Sequence, residues 1–175
     1  FSAAGINLVD NPNFTDTGSE LVSNWDMESG FTSGVADDYN VLAGTGSQET
    51  SIYVSSTNSQ KITTSSGLAK FRHDNISAIA GTSYFASCWV RSNISQDIKF
   101  FDHNGPGGGA ATTIVSVVPD TWTYVTFYVT KGNTTLQPQV ETITNETADI
   151  YIDNVSVKEL GADWTVTMSD GSDPT

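Results

Sequence analysis

Apolar residues recur along this chain at a period of two, in short runs set between stretches of Gly, Ser, Thr, Asn and Asp. Alternation of this kind puts one set of side chains on a buried face and the other in water, which is the signature of half-buried strands. No segment keeps a helical period for three turns. The runs predict strands near Tyr39–Leu42, Ser51–Val54, Gln60–Thr64, Tyr84–Val90, Asp97–Phe101, Ala111–Val118, Thr121–Thr130, Leu136–Ile143 and Asp149–Val157. Residues 32–51, with their Ser-Gly, Asp-Asp and Gly-Thr-Gly punctuation, read as loop around the first of these strands. The chain is therefore expected to be all-β, with no helix longer than two turns.

One irregularity in the pattern is informative. Ile150 and Ile152 alternate, and so do Val155 and Val157, but the step between the two pairs is three residues instead of two. An extra residue in an alternating run predicts a β-bulge, here at Asp153-Asn154. A bulge re-aims a side chain, and at this position the re-aimed group is a carboxylate.

Composition narrows the partners. The 175 residues are enough to bury roughly 70% of the unfolded surface without a disulfide or metal staple. With 7 Lys and Arg against 20 Asp and Glu, the formal net charge is −13. The few cations are scattered, which argues against nucleic acid, whose phosphates need clustered basic side chains. No 18-residue apolar run exists to insert into a membrane. Cys88 is the only cysteine; it lies in an apolar strand and reads as a small buried hydrophobe. The chain has no initiator Met and no signal peptide, so it is expected to be a processed product or part of something longer.

Catalysis finds little support in the motifs. His73 and His103 belong to no nucleophile or metal pattern, and Asp37-Asp38 sits in a polar loop. The segment Asn104-Gly105-Pro106-Gly107-Gly108-Gly109 lacks the Lys-Ser/Thr of a phosphate loop and reads as a hairpin connection.

Several phrases together carry a family likeness. Leu8-Val9-Asp10-Asn11-Pro12-Asn13-Phe14 is echoed 13 residues later by Leu21-Val22-Ser23-Asn24-Trp25-Asp26-Met27-Glu28. Gly81-Thr82-Ser83-Tyr84 leads into a strand ending Trp89-Val90-Arg91. A turn, a Trp and an alternating strand follow at Pro119-Asp120-Thr121-Trp122 and Val125–Val129, and the chain closes on Ile150-Tyr151-Ile152-Asp153-Asn154-Val155. In this order the phrases resemble carbohydrate-binding modules of the family 4/9 type over residues 21–160. The likeness implies an antiparallel jelly-roll β-sandwich for 21–160. Residues 1–20 are then an N-terminal arm or the remnant of a preceding module, and 161–175 a linker or the start of a following one.

The resemblance also implies sites. Glu28 and Asp153 match the carboxylates that hold the family's structural calcium, with Asn24 as a third position; the alternative is that backbone amides cap both carboxylates without metal. Calcium takes hard oxygen ligands of this kind. With the family's phasing, Phe85, Ser87, Trp89 and Arg91 face away from the core, as do Tyr124, Thr126 and Tyr128, while Gln137, Gln139 and Glu141 form a further polar row. Aromatic faces beside hydrogen-bonding side chains are what a sugar ring requires, so Phe85, Trp89, Arg91, Tyr124, Tyr128 and Gln139 are the candidate ligand contacts. The expected role is non-catalytic: a glycan-binding or adhesive module of a longer extracellular or virion-associated fibre protein, meeting a cell-surface polysaccharide and other subunits of its assembly. Two other roles fit the same features, a structural virion or filament subunit that packs on copies of itself, and the binding module of a secreted polysaccharide hydrolase or lyase.

Overall fold

A computed structural model of the chain describes residues 17–105 and 112–161. The first copy of the 13-residue repeat, most of the Gly-rich segment after Asn104 and the Trp164 run lie outside these residues. Fifteen strands follow in order: β1 (Thr17–Glu20), β2 (Phe31–Thr32), β3 (Val35–Ala36), β4 (Tyr39–Ala43), β5 (Thr45–Glu49), β6 (Ser59–Gly67), β7 (Lys70–His73), β8 (Ile76–Ser77), β9 (Ser83–Ser92), β10 (Gln96–Asp102), β11 (Thr112–Val117), β12 (Thr123–Thr130), β13 (Thr135–Leu136), β14 (Pro138–Thr142) and β15 (Glu146–Leu160). They form an antiparallel jelly-roll sandwich. A six-stranded sheet runs β12-β9-β15-β6-β5, with β1 also on β15, and a five-stranded sheet runs β11-β10-β14-β7-β4.

The inward sets of the two sheets make one core. Tyr84, Ala86, Cys88 and Val90 from β9, with Ile150, Ile152, Val155 and Val157 from β15, pack against Phe71, Ile98, Phe100 and Val140 of the other sheet. Phe100 and Phe127 meet across the core with ring centroids 4.8 Å apart. Cys88 is fully buried there, and desolvation pushes its thiol well above its ordinary pKa, the state of an inert core side chain.

β15 is the axis of the six-stranded sheet. β9 flanks it on one side from Ile150 to Glu159. On its other side β6 pairs with the first half, up to Ile152, and β1 with the end, at Lys158 and Leu160. The expected bulge falls in the gap between β6 and β1. Trp89 lies opposite Asp153 and Ser87 opposite Ser156, so two residues of β15 face the single Cys88. Asn154 takes the extra position with φ +50°, a left-handed conformation that Asn tolerates better than most residues. Glu20 closes the rest of the gap by accepting a hydrogen bond from the amide of Val157 at 2.9 Å.

Three expected elements differ. Residues 51–54 are not a strand: residues 50–58 form a loop, and the pairing partner of β6 is β5, inside the region read as loop. The run 136–143 is broken into β13 and β14, which join different sheets. The segment from Leu21 is not the first strand; that strand is β1, and 21–30 is a series of turns. β2, β3 and β8 are two residues long, too short to show an alternation, and β5 (Thr-Gly-Ser-Gln-Glu) has no apolar side chain, so hydrophobic period could not mark them.

Candidate functional site

The bulge places its carboxylate as the spacing predicted. Asp153 points out of the six-stranded sheet yet is fully buried, because the loop 50–58 lies over it. Its Oδ2 accepts hydrogen bonds from the amides of Val54 at 2.8 Å and Ser55 at 3.5 Å, and its Oδ1 from Asn154 at 2.7 Å. Glu28 holds the next part of the same loop. Its Oε1 accepts from the amides of Thr57 and Asn58, and its Oε2 from the Thr57 hydroxyl and the Asn58 side-chain amide, all at 2.6–2.8 Å. Asn24 spends its side chain elsewhere, donating to the carbonyls of Gly30 and Asp37 and accepting from the amide of Ser29.

The pKa values of the two carboxylates move in opposite directions. Desolvation pushes Glu28 up, but the donors on Thr57 and Asn58 outweigh it and leave its pKa below the ordinary value. Burial raises Asp153 to about 6 despite its three amide donors, and the neighbouring charge of Glu28 adds to the rise. Asp153 has no cationic partner among the described residues. Glu28 and Asp153 are hard oxygen donors of the kind a divalent cation takes. The backbone amides already on both groups are the competing way of holding them. No group of three or more His, Cys, Asp or Glu placed to hold a metal ion occurs among the described residues.

Five of the six expected ligand contacts share the outer face of the six-stranded sheet. Tyr128, Thr126 and Tyr124 of β12 stand opposite Phe85, Ser87 and Trp89 of β9. On the far side of β9, Lys158, Ser156 and Asp153 of β15 face the same three residues. The face thus carries three rows across three strands: Tyr128–Phe85–Lys158, Thr126–Ser87–Ser156 and Tyr124–Trp89–Asp153. The middle row is small, so it forms the floor of a groove between two rows of large side chains, whose backbones are about 13 Å apart at four residues' spacing. Rings touch within each wall, Phe85 and Tyr128 with centroids 4.9 Å apart and Trp89 and Tyr124 with centroids 5.1 Å apart. Part of the groove encloses a hollow of about 300 Å³, floored by Ser87 and Ser156, walled by Trp89 and Tyr124, and bordered by Lys158 and Trp25. β12 is an edge strand, which leaves its rings open: Tyr124 is 48% and Tyr128 63% exposed. Arg91 shares the face but is engaged, with Nη2 2.8 Å from Asp120 and its guanidinium over the Tyr151 ring.

The sixth contact, Gln139, is not there. β14 belongs to the five-stranded sheet, so Gln139 lies on the opposite outer face. It stands in a row with Asn40, Arg72 and Phe101, adjacent strand by adjacent strand. The next row is Lys70–Glu141–Lys99, in which Glu141 is 3.2 Å from one ammonium and 3.7 Å from the other. Gln139 donates to Glu141 at 2.9 Å, while Gln139 Oε1 and Arg72 Nε are buried without a hydrogen-bond partner. Such atoms are uncommon in folded proteins and cost free energy where they stand.

Sequence reasoning missed Trp25, Lys158 and Glu20, which converge on the hollow from the turns after β1, from β15 and from the end of β1. It also missed the fully buried pair of Lys131 and Asp102. Lys131 donates to Asp102 and to the Asn104 carbonyl, and Asp102 accepts from the amides of Asn104 and Gln137. A lone Lys in a polar turn gives no signal of such burial. His73 is structural, packed edge-on to Tyr39 and bonded through Nδ1 to the Asp74 carbonyl.

No family model matches the sequence, and no curated protein matches it. Solved structures do. The family 22 xylan-binding domain of Paenibacillus barcinonensis Xyn10C aligns with a TM-score of 0.66 at 14% identity, covering 83% of this chain and 97% of that domain. The arabinose-bound MgGH51 α-L-arabinofuranosidase aligns with a TM-score of 0.64 at 15% identity over 82% of this chain, which spans only 27% of that enzyme. The enzymatically active domain of bacteriophage CBA120 tailspike protein 4 aligns with a TM-score of 0.60 at 14% identity, over 80% of this chain and 21% of that one. At these identities the similarity is one of fold: carbohydrate-binding modules are among the solved structures that share this sandwich.

Proposed function

We propose that this chain is a non-catalytic glycan-binding module of a longer extracellular or virion-associated fibre protein, and that its ligand lies in the groove of the six-stranded sheet. The observation that carries the reading is the pair of aromatic walls, Tyr124–Trp89 and Tyr128–Phe85, standing over a serine floor beside an open hollow. Ring faces stack on the apolar face of a sugar while small hydroxyl side chains let the ring settle and meet its hydroxyls. A glycan array read with the chain and with Trp89→Ala tests the proposal: retention by the first and loss by the second is expected, and equal retention by both would remove the groove.

A second reading places the glycan on the five-stranded sheet, and one observation favours it: two adjacent polar atoms without a hydrogen-bond partner, Gln139 Oε1 and Arg72 Nε, against Arg91 Nε alone on the other face. A calcium between Glu28 and Asp153 belongs to the same proposal. Bound there, the ion supplies positive charge to two carboxylates, and these residues fasten the loop 50–58 to the bulge. Loss of melting temperature on chelation is the expected outcome, since a ligand of the native state stabilises it by mass action.

A further inference from the structure

We propose that the groove selects an anionic sugar, and that Lys158 is the group that meets the negative charge; this rests on the glycan-binding reading above. The chain has only 7 cationic side chains. Lys61, Lys70, Arg91, Lys99 and Lys131 each lie within 4 Å of a carboxylate. Among the described residues Arg72 and Lys158 have none so near, and of these two Lys158 borders the hollow. In a chain of net charge −13 an ammonium has no shortage of carboxylates to find. One left unpaired beside two aromatic walls is matched to a charge that arrives from outside.

The nearest competitor is Glu20, which borders the same hollow and is the cross-strand partner of Lys158. It makes no ion pair with Lys158. Its Oε1 instead accepts hydrogen bonds from the amides of Leu21, Val22 and Val157 at 2.9–3.1 Å, and its Oε2 from the Ser156 hydroxyl at 2.5 Å. Those donors turn its charge into the strand edge, where it stands in for a missing ladder partner. On the other cations of this face, Arg91 is held by Asp120 and Lys61 by Asp149 at 2.9 Å. Among the described residues, Lys158 is thus the uncommitted positive charge of the face. The opposite end of the groove wall is Tyr128–Phe85, in line with Lys158 across the strands. A sugar stacked in the groove can therefore keep its ring on the aromatics and turn a carboxylate or sulfate toward the ammonium.

The test compares paired glycans that differ only in charge: oligogalacturonate against its methyl ester, sialyllactose against lactose, and a sulfated glycosaminoglycan oligomer against its desulfated form. The full chain is expected to hold an acidic member about fivefold or more tightly than its neutral counterpart, the scale of one partly screened ion pair. Which pair shows the preference separates uronate, sialate and sulfate. Lys158→Met, with an unchanged melting temperature as its folding control, is expected to lose the preferred acidic glycan by a similar factor, and added salt is expected to weaken binding by the wild type. Equal binding of the neutral members, or full retention of the acidic one by Lys158→Met, overturns the anionic selection and leaves the groove in place. Retention of no glycan of any kind overturns the glycan-binding reading itself.

Discussion

On the outer face of the six-stranded sheet, Tyr124 and Tyr128 stand with about half or more of their surface in water; on the five-stranded sheet Phe101 is only 7% exposed and lies under the Lys99 ammonium, 4.3 Å from its ring centre. The first face leaves its rings open, and each face has one cation with no carboxylate within 4 Å among the described residues, Lys158 on the first and Arg72 on the second. The second ties its charges together through Glu141, which serves both Lys70 and Lys99. Its unmet needs are hidden, in the adjacent Gln139 Oε1 and Arg72 Nε, where the first face has Arg91 Nε alone. The contrast shows two ways in which a sheet face declares a partner. Exposed aromatic rings advertise a contact surface before it is filled; buried unpaired polar atoms mark a place where a bond is missing.

The same contrast holds for the two fully buried carboxylates. Asp102 has Lys131 beside it, whereas Asp153 has only amides and the repelling charge of Glu28. Breaking the first pair gives the largest expected effect. Lys131→Met strands a buried charge and should cost about 3–5 kcal/mol, read as a fall in the denaturation midpoint. Asn104, Asn133 and Gln137 share this network, so the end of β10 that carries Phe101 should loosen with it. A variant of unchanged stability would show that the pair does not organise that end of the sheet.

Asp153 sharpens the comparison from the other side. Its folded pKa of about 6 lies above the ordinary 3.8, so the native state binds the proton more tightly than the unfolded chain. Its contribution is therefore most favourable at low pH and is lost as pH rises from about 4 to about 6. In chelator, the stability of the wild type relative to Asp153→Asn should fall by about 3 kcal/mol across that window and stay level above it. Added calcium should abolish the fall, because a bound cation keeps the carboxylate ionised. A profile identical with and without calcium would leave the amides alone in charge of the loop.

Trp89→Ala is the next test by size. As a ring of the groove wall it should weaken glycan retention by about 30-fold or more, the scale of an interface hot spot, with little change in melting temperature. Arg72→Met and Gln139→Ala are expected to do least: unchanged retention if the groove is the site. Loss of binding in these two variants, with Trp89→Ala unaffected, would transfer the ligand to the five-stranded sheet.

Much of the groove was legible from residue order. Strand parity placed Phe85, Trp89 and Arg91 on one side of β9 and Tyr124 and Tyr128 on one side of β12, because successive side chains of a strand must point to opposite faces. The three-residue step after Ile152 located the bulge for the same local reason. Parity is silent about which strand lies beside which. Ladder pairing joins residues as distant as Lys61 and Tyr151, and no local pattern encodes that choice. Only the tertiary structure could send Gln139 to the opposite face from the aromatics, bring Trp25 and Lys158 to one hollow, and lay residues 50–58 over Asp153. The sequence by itself determined the all-β class, the facing of each apolar strand and the position of the bulge, since these depend on neighbours along the chain. The partition of strands between sheets and the cover over each carboxylate were decided by long-range pairing and burial, which exist only once the two sheets have closed on their common core.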